Sequence, residues 1–186
     1  MSLRRTIQSL ALGVLLVGEI EARAQAPEPE GYRLDDYRAP TPATVPGGAV
    51  IDTKAAYTLW ESGAAAWIDV LPAPHRPANL PPQTLWMPLP RRDIPGSLWL
   101  PDIGRGRLSP ELEAYFRTHL EDATRRAHDR PIVFYCLADC WMSWNATKRA
   151  ASWGYTHLYW YRDGIDGWEA AKLPTEKAEP VPGPGP

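Results

Sequence analysis

The chain is poor in histidine, in basic clusters and in long apolar runs, and each scarcity excludes a class of function. Its four histidines show no spacing to the two cysteines that would suit a zinc or copper site. No stretch concentrates Lys and Arg, and the formal net charge of −2 argues against nucleic-acid binding. Beyond the first 26 residues no apolar run approaches the length that crosses a bilayer. The sequence therefore predicts no metal site, no nucleic-acid partner and no membrane span after signal cleavage.

The first 26 residues have the pattern of a secretory signal. Arg4 and Arg5 provide a basic start, Ile7 to Val17 forms a short apolar core, and Ala24 to Ala26 matches an A-x-A cleavage site. We expect cleavage there and export to a bacterial periplasm, with an uncleaved anchor as the alternative. The remaining chain carries 17 basic and 20 acidic residues, and its roughly 160 residues suffice for one domain. An oxidising compartment favours a disulfide between the cysteines.

Composition divides the exported chain into distinct segments. Residues 27–48 are rich in Pro, Glu and Gly and are predicted to form an extended arm before a domain at 49–175. Within that domain, residues 72–95 carry eight prolines, which predicts a long loop without regular structure. Trp86 in this loop would cover the core, cover a site or face a partner. Residues 176–186 are predicted to form a flexible tail.

Helix and strand signals alternate through the domain. Asp52 or Thr53 is a cap for a short helix, and Ser109-Pro110-Glu111 is a strong start for a longer one. Apolar runs predict buried strands at 65–71, 131–136 and 156–161, with a helix at 143–152. This order predicts an α/β fold with a central, mostly parallel sheet and helices on both faces.

Four segments in this order resemble the rhodanese-like domain. Trp67–Val70 resembles its first central strand, and Asp93–Ser97 resembles its His-Ile-Pro-Gly-Ala segment. Pro131–Cys136 resembles the strand that delivers the active cysteine, and Asp163–Trp168 resembles the Gly-Gly-x-x-x-Trp turn that closes the domain. The resemblance spans roughly residues 50–175 and implies a single rhodanese-like domain.

A narrower resemblance comes from Cys136…Cys140-Trp141. This segment is similar to exported rhodanese-like proteins associated with PQQ-dependent catabolism and named for a CXXCW motif, although three residues separate the cysteines here. The resemblance implies a periplasmic role beside quinoprotein alcohol dehydrogenases. It implies an indirect association with PQQ enzymes, and no cofactor of the chain's own is evident.

The rhodanese resemblance implies that Cys136 is the reactive thiol, which would carry a persulfide within a nest of backbone N–H groups. Cys140 would resolve a persulfide or sulfenate at Cys136 into a disulfide. A disulfide that closes so small a ring stabilises a fold by only about 2 kcal/mol, which favours local redox chemistry over a structural staple. The other residues of the predicted active-site loop are Leu137, Ala138, Asp139, Trp141, Met142 and Ser143.

The loop lacks the arginine that would grip an anionic substrate. It carries no basic residue, and Asp139 would oppose a dianion and raise the pKa of a nearby thiol. This argues against phosphatase or arsenate chemistry and against thiosulfate as the donor. A neutral or protein-bound sulfur donor stays open.

Three functions fit the sequence. The first is a redox or sulfur-handling protein that uses Cys136 and Cys140, with a quinoprotein dehydrogenase system or a small thiol or sulfur donor as partner. The second is a sulfurtransferase with Cys136 as persulfide carrier. The third is a non-catalytic module with locked thiols. Trp86, Trp141 and Trp144 would then engage a partner or cofactor. Trp141 and Trp144, three residues apart, would stack on a planar quinone, or would simply pack in the core.

Overall fold

The computed structural model describes residues 26–184, so the predicted signal segment lies outside the described residues except for Ala26. The elements in chain order are β1 (Ala49–Ile51), α1 (Thr53–Glu61), β2 (Ala66–Asp69), β3 (Arg91–Asp93), β4 (Leu98–Trp99), α2 (Pro110–Thr124), β5 (Ile132–Tyr135), α3 (Trp141–Ser152), β6 (Leu158–Tyr161), α4 (Gly164–Ala170) and β7 (Glu176–Ala178).

Five strands form one sheet in the order β1-β6-β5-β2-β4. Every pairing within it is parallel, and β5 lies at its centre with Phe134 opposite Trp160 on one side and Ile68 on the other. From β2 the chain continues to β4 on one side of the sheet, and from β5 it continues to β6 on the other, so the direction of the connections switches between β2 and β5. Parallel α/β folds place their sites at such a switch point. The predicted α/β fold with a parallel central sheet is confirmed.

The two faces of the sheet are covered by different helix pairs. Because side chains alternate along a strand, Ile132 and Phe134 of β5 pack with α2 and α3, whereas Val133 and Tyr135 pack with α1 and α4. Trp168 of α4 is fully buried on the second face. The wholly apolar sequence of β5 follows from this two-sided burial.

Two helix starts follow the predicted capping chemistry. The Asp52 side chain accepts a hydrogen bond from the Ala55 N–H at the start of α1. Ser109 does the same for the Leu112 N–H at the start of α2, where Pro110 stands at the first helical position. Both predicted caps are confirmed.

The proline-rich loop and the tail differ from their predictions. Arg91–Asp93 forms β3 inside the segment expected to lack regular structure, and it pairs antiparallel with β7 at Glu176–Ala178 in the predicted flexible tail. Proline is tolerated at the flanks of a short strand, where no ladder N–H is needed. Beyond β7, the Val181 N–H donates to the Trp99 carbonyl, so the tail continues along the edge of the domain.

The arm at 27–48 contains no helix or named strand and lies against α3. The Arg33 N–H donates to Asn145 Oδ1 at 3.0 Å, and Asn145 Nδ2 donates back to the Arg33 carbonyl at 2.8 Å. Lys148 Nζ contacts three successive arm carbonyls, those of Pro29, Glu30 and Gly31. Polar side chains of α3 thus hold the first part of the arm, residues 29–33, against the domain.

No helix within residues 26–184 has the length and apolar character needed to cross a membrane.

Candidate functional site

The two cysteines form a disulfide at the carboxyl edge of the sheet. Cys136 follows β5 directly, Cys140 stands four residues later, and their Cα atoms are 6.2 Å apart. That separation lies within the usual range for disulfides. Both residues are buried, at 0% and 2% exposure. The structure therefore joins the two predicted catalytic residues covalently and shields them from solvent.

The connection between β5 and α3 is shorter than predicted. A turn at Leu137–Asp139 leads to Cys140, which has extended backbone geometry and caps α3. Asp139 makes the turn with a left-handed φ of 51°, a conformation that Asp tolerates better than most residues. The active-site loop residues Trp141, Met142 and Ser143 lie in the first turn of α3, which begins two residues before the predicted helix start at Ser143. The reason is that their side chains are buried in the cores beneath the loop.

The start of α4 supports the cysteine turn from one side. The Ile165 N–H donates to the Cys136 carbonyl at 2.9 Å. The Ala138 N–H donates to Asp166 Oδ2, also at 2.9 Å. A Cβ on Gly164 would overlap the Cys136 carbonyl, so only glycine allows this approach. The turn and α4 consequently form one packed unit.

The arm covers the turn from the other side. The Trp141 N–H donates to the Tyr37 carbonyl at 2.9 Å, and Arg38 pairs antiparallel with Cys140 through an isolated bridge. Tyr37 Oη also accepts a hydrogen bond from the Gly106 N–H at 3.0 Å. A reagent that approaches Cys140 from this side meets the arm first.

Trp141 and Trp144 lie together but face inward. Their ring centroids are 5.4 Å apart, and they pack with Val45 and Trp160 under the arm. Trp144 Nε1 donates to the Thr44 carbonyl. Their exposures of 2% and 0% favour the packing interpretation, because neither ring offers a free face to a planar cofactor.

A cavity of about 580 Å³ opens beside the turn. Leu137 is the part of the turn that lines it, and neither cysteine does. Its apolar wall includes Leu71, Trp99 and Ile165, and two acids, Asp166 and Glu169, stand at its α4 side. Its shape and position make it the candidate binding site for whatever reaches the cysteine turn.

Two buried carboxylates, Asp69 at the end of β2 and Asp93 in β3, share Arg91. Arg91 Nε lies 3.0 Å from Asp69 Oδ2 and 2.8 Å from Asp93 Oδ1. Asp69 also accepts the Leu71 N–H, whereas neither Asp93 oxygen receives a well-aligned hydrogen bond from a described residue. Tyr135, from β5, lies in the same cluster and hydrogen-bonds Ser97 Oγ at 2.8 Å. One guanidinium thus balances two acids.

These surroundings shift the proton affinities of the cluster. Burial, reinforced by the charge of Asp69, raises the pKa of Asp93 to about 7. Burial also raises the pKa of Asp69 above its usual value, although Arg91 opposes this. Burial raises the pKa of the Tyr135 hydroxyl well above 10. Near neutral pH, the carboxylate pair is therefore in equilibrium with a singly protonated form.

We expect Asp93→Asn to stabilise the protein at pH 8. Since the pKa of Asp93 is about 7 in the folded state and near 4 when unfolded, the folded state holds the proton more tightly between these values. The free energy of unfolding should fall as pH rises from 4 to 7 and then level off. The substitution should remove the part of this slope that Asp93 contributes and add on the order of 2 kcal/mol at pH 8, measured by urea denaturation at several pH values.

Asp102→Asn is the matched control. Asp102 is also buried, but it pairs with Arg105 at 2.8 Å, and within residues 26–184 no second carboxylate pairs with that arginine. Its neutralisation should lower the stability at pH 8. If Asp93→Asn lowers it as well, the shared-arginine account of the cluster is wrong.

Several contributors to the site were not predicted as site residues. Asp166 lies inside the predicted closing turn, Asp163–Trp168. The resemblance of this turn to the family places the turn near the cysteine, and this signal could have identified Asp166 as a site residue. Arg91 and Tyr37 reach the site from a proline-rich loop and an extended arm, and no local periodicity marks them. Among residues 26–184, no group of three or more His, Cys, Asp or Glu side chains is arranged to hold a metal ion.

Solved structures with a similar fold include sulfurtransferases. The polysulfide-sulfur transferase homodimer from Wolinella succinogenes is 20% identical, covering 70% of this chain and 79% of its own, with a TM-score of 0.45. The human single-domain sulfurtransferase TSTD1 is 23% identical, covering 65% of this chain and 95% of its own, with a TM-score of 0.40. Similarity at this level concerns the fold alone.

No curated protein sequence matches the chain. The family model for the rhodanese-like domain matches residues 53–171, well over half of the chain. That range contains the cysteine turn, the α4 residues that support it, and every strand of the five-stranded sheet except β1. The protein therefore belongs to the rhodanese-like domain family.

Proposed function

We propose that the protein is an exported thiol protein that handles sulfur through Cys136 and Cys140. The observation that carries this proposal is the Cys136–Cys140 disulfide at the end of β5 in a rhodanese-like domain. Family membership supports a sulfur-handling role, and the second cysteine supplies a resolving thiol that a simple persulfide carrier does not need.

The proposed chemistry has two steps once a dithiol has reduced the disulfide. The Cys136 thiolate attacks the sulfane sulfur of a donor R–S–SH, the S–S bond of the donor breaks, and R–SH leaves. Cys136 is then a persulfide. The Cys140 thiolate attacks Cys136 Sγ, the terminal sulfur departs as hydrosulfide, and the disulfide forms again. The two cysteines are oxidised while the sulfane sulfur is reduced.

A persulfide transferase is the second candidate, and the family of the domain favours it. In that case Cys136 passes its outer sulfur to an external acceptor, and Cys140 is dispensable. The burial of Trp141 and Trp144 gives no support to the third candidate, a module that binds a quinone through these rings.

The cysteine variants should separate the candidates. After reduction and incubation with an alkyl persulfide, the wild type should release hydrosulfide and return to the disulfide. Cys140→Ser should keep one extra sulfur on Cys136 and release hydrosulfide at least 100-fold more slowly, since no resolving thiol remains. Cys136→Ser should acquire no sulfur. Peptide mass analysis without further reduction gives the sulfur content of each form.

Other results point elsewhere. If Cys140→Ser transfers sulfur to cyanide as fast as the wild type, the persulfide transferase is the better description. A disulfide that excess dithiothreitol does not open in the folded protein would exclude both thiol mechanisms.

We also propose that this chemistry occurs in the periplasm, beside PQQ-dependent alcohol oxidation. Support comes from the signal-like residues 1–26 and from the resemblance of Cys136…Cys140-Trp141 to the PQQ-associated proteins. The quinoprotein system would be the partner, and the chain itself would hold no PQQ. In the bacterium that encodes it, deletion of the gene should slow growth on an alcohol but not on the corresponding acid. Equal growth on both would contradict the association.

A further inference from the structure

The Asp166 carboxylate on α4 occupies a backbone N–H of the cysteine turn. Its Oδ2 accepts the Ala138 N–H at 2.9 Å, immediately beside the disulfide. A backbone N–H in such a turn is the donor that rhodanese-type loops offer to an anion. Here a carboxylate of the protein already fills it.

The first N–H of α3, directly after the turn and Cys140, is also taken. The Trp141 N–H, at the start of α3, donates to the Tyr37 carbonyl of the arm. An incoming dianion would have to displace a protein acceptor at either N–H and, at Ala138, would also meet the negative charge of Asp166.

The two arginines that line the adjoining cavity are both engaged by other parts of the protein. Arg91 lines it but is engaged by Asp69 and Asp93, and Arg92 donates to Thr175. The rest of the wall is largely apolar, with Leu71, Pro72, Leu89, Trp99, Leu137 and Ile165. Such a cavity suits an uncharged organic group.

We propose that Asp166 is a specificity-determining residue, which excludes inorganic sulfur dianions such as thiosulfate and leaves the cavity to uncharged organic persulfides. The inference rests on the proposed function for its substrate class. The selection depends on this one carboxylate on α4. Removal of this carboxylate should therefore create a response to dianions that the wild type lacks.

The first test measures binding without any sulfur transfer. Sodium sulfate, an inert dianion, is titrated at constant ionic strength into the disulfide form, and the Ala138 amide resonance is followed by NMR. We expect Asp166→Ala to bind sulfate at least tenfold more tightly than the wild type, since both the acceptor and the charge are gone. Asp166→Asn keeps an acceptor oxygen and loses only the charge, so its gain should be smaller.

Glu169→Gln is the control for overall charge. It removes the same charge from the same cavity, but Glu169 has no hydrogen bond to the turn among those identified. Its sulfate affinity should stay within threefold of the wild type. If neither Asp166 variant gains affinity, or if Glu169→Gln gains as much as Asp166→Ala, the assignment is overturned.

The second test uses the reduced proteins and compares two donors. With thiosulfate, the Cys136 thiolate would attack the outer sulfur, the S–S bond would break, and sulfite would leave with the electron pair. The ratio of kcat/KM for thiosulfate to kcat/KM for an alkyl persulfide should rise at least tenfold in Asp166→Ala, because the KM for thiosulfate falls. An unchanged ratio in an active protein counts against Asp166. If the wild type is inactive with both donors, the proposed function is wrong. The sulfate titration still tests the role of Asp166 in that case.

Discussion

Gly164→Ala is expected to lower the free energy of unfolding by about 3 kcal/mol or more, because the new Cβ has no space. It would overlap the carbonyl carbon and oxygen of Cys136 and the carbonyl carbon of Leu137. These are backbone atoms, which cannot rotate away as the end of a side chain can. Gly164 also has a φ of 56°, where an added Cβ costs about 1–2 kcal/mol by itself. Urea denaturation with the disulfide intact measures the combined effect.

Gly63→Ala separates the clash from the backbone strain. Gly63 has a similar φ of 64°, but a Cβ there would meet nothing within 4 Å. We therefore expect a loss of about 1 kcal/mol at this position. Equal losses at Gly63 and Gly164 would mean that α4 can withdraw from the cysteine turn at no cost.

The same variant links stability to the site. If Gly164→Ala still folds, the segment at Ile165 and Asp166 must shift, and both hydrogen bonds to the turn should weaken. The Ala138 and Ile165 amides should then lose protection in hydrogen exchange, while amides in the middle of α2 keep theirs.

Asn145→Ala should have the second large effect on stability, a loss of about 3 kcal/mol. Its buried amide makes three hydrogen bonds, one from the Arg33 N–H and two to the carbonyls of Arg33 and Gly104. Truncation leaves the Gly104 carbonyl without this donor inside the protein and detaches the arm from the middle of α3. Thermal or urea unfolding of the two proteins, both oxidised, measures the loss.

Detachment of the arm should also change the reactivity of the disulfide. The arm covers Cys140 through Tyr37 and Arg38, which follow the segment held by Asn145. We expect dithiothreitol to reduce the disulfide of Asn145→Ala at least tenfold faster than that of the wild type, under conditions where both proteins stay folded. A thiol-labelling time course followed by mass analysis gives the rates.

Lys148→Ala is the control for a general loosening of the arm. Lys148 holds the carbonyls of Pro29, Glu30 and Gly31, farther along the chain from Tyr37, and its side chain is partly exposed. We expect a loss of about 1 kcal/mol and little change in the rate of reduction. If Asn145→Ala reduces at the wild-type rate, the arm does not limit access to the disulfide.

Local signals account for most of the central fold. Ser109 and Pro110 define a helix start that needs no tertiary information, because the cap satisfies a neighbouring N–H. The uninterrupted apolar run of β5 predicts burial on both faces, and Cys136 directly after it predicts a thiol at the carboxyl edge of the sheet. These features depend on residues within a few positions of one another, so the sequence alone predicts them.

The errors arose where distant segments meet. Strand β3 was predicted as irregular and β7 as a flexible tail, because each is only three residues long and is stabilised by a partner about 85 positions away in the chain. The start of α3 was placed two residues late. The side chains of Met142 and Trp141 pack in two different cores beneath the turn, and this tertiary packing fixes their backbone as helical.

The sequence by itself determined the fold class, the position of Cys136 and the absence of a basic residue from the cysteine turn. Only the tertiary structure decided that Asp166 accepts from the Ala138 N–H, that the Tyr37 carbonyl accepts from the Trp141 N–H, and that Asp69 and Asp93 share Arg91. The physical reason is that local propensity specifies helices, strands and caps. The choice of hydrogen-bond acceptor at a given N–H depends on which distant segments the packed sheet brings to the same edge.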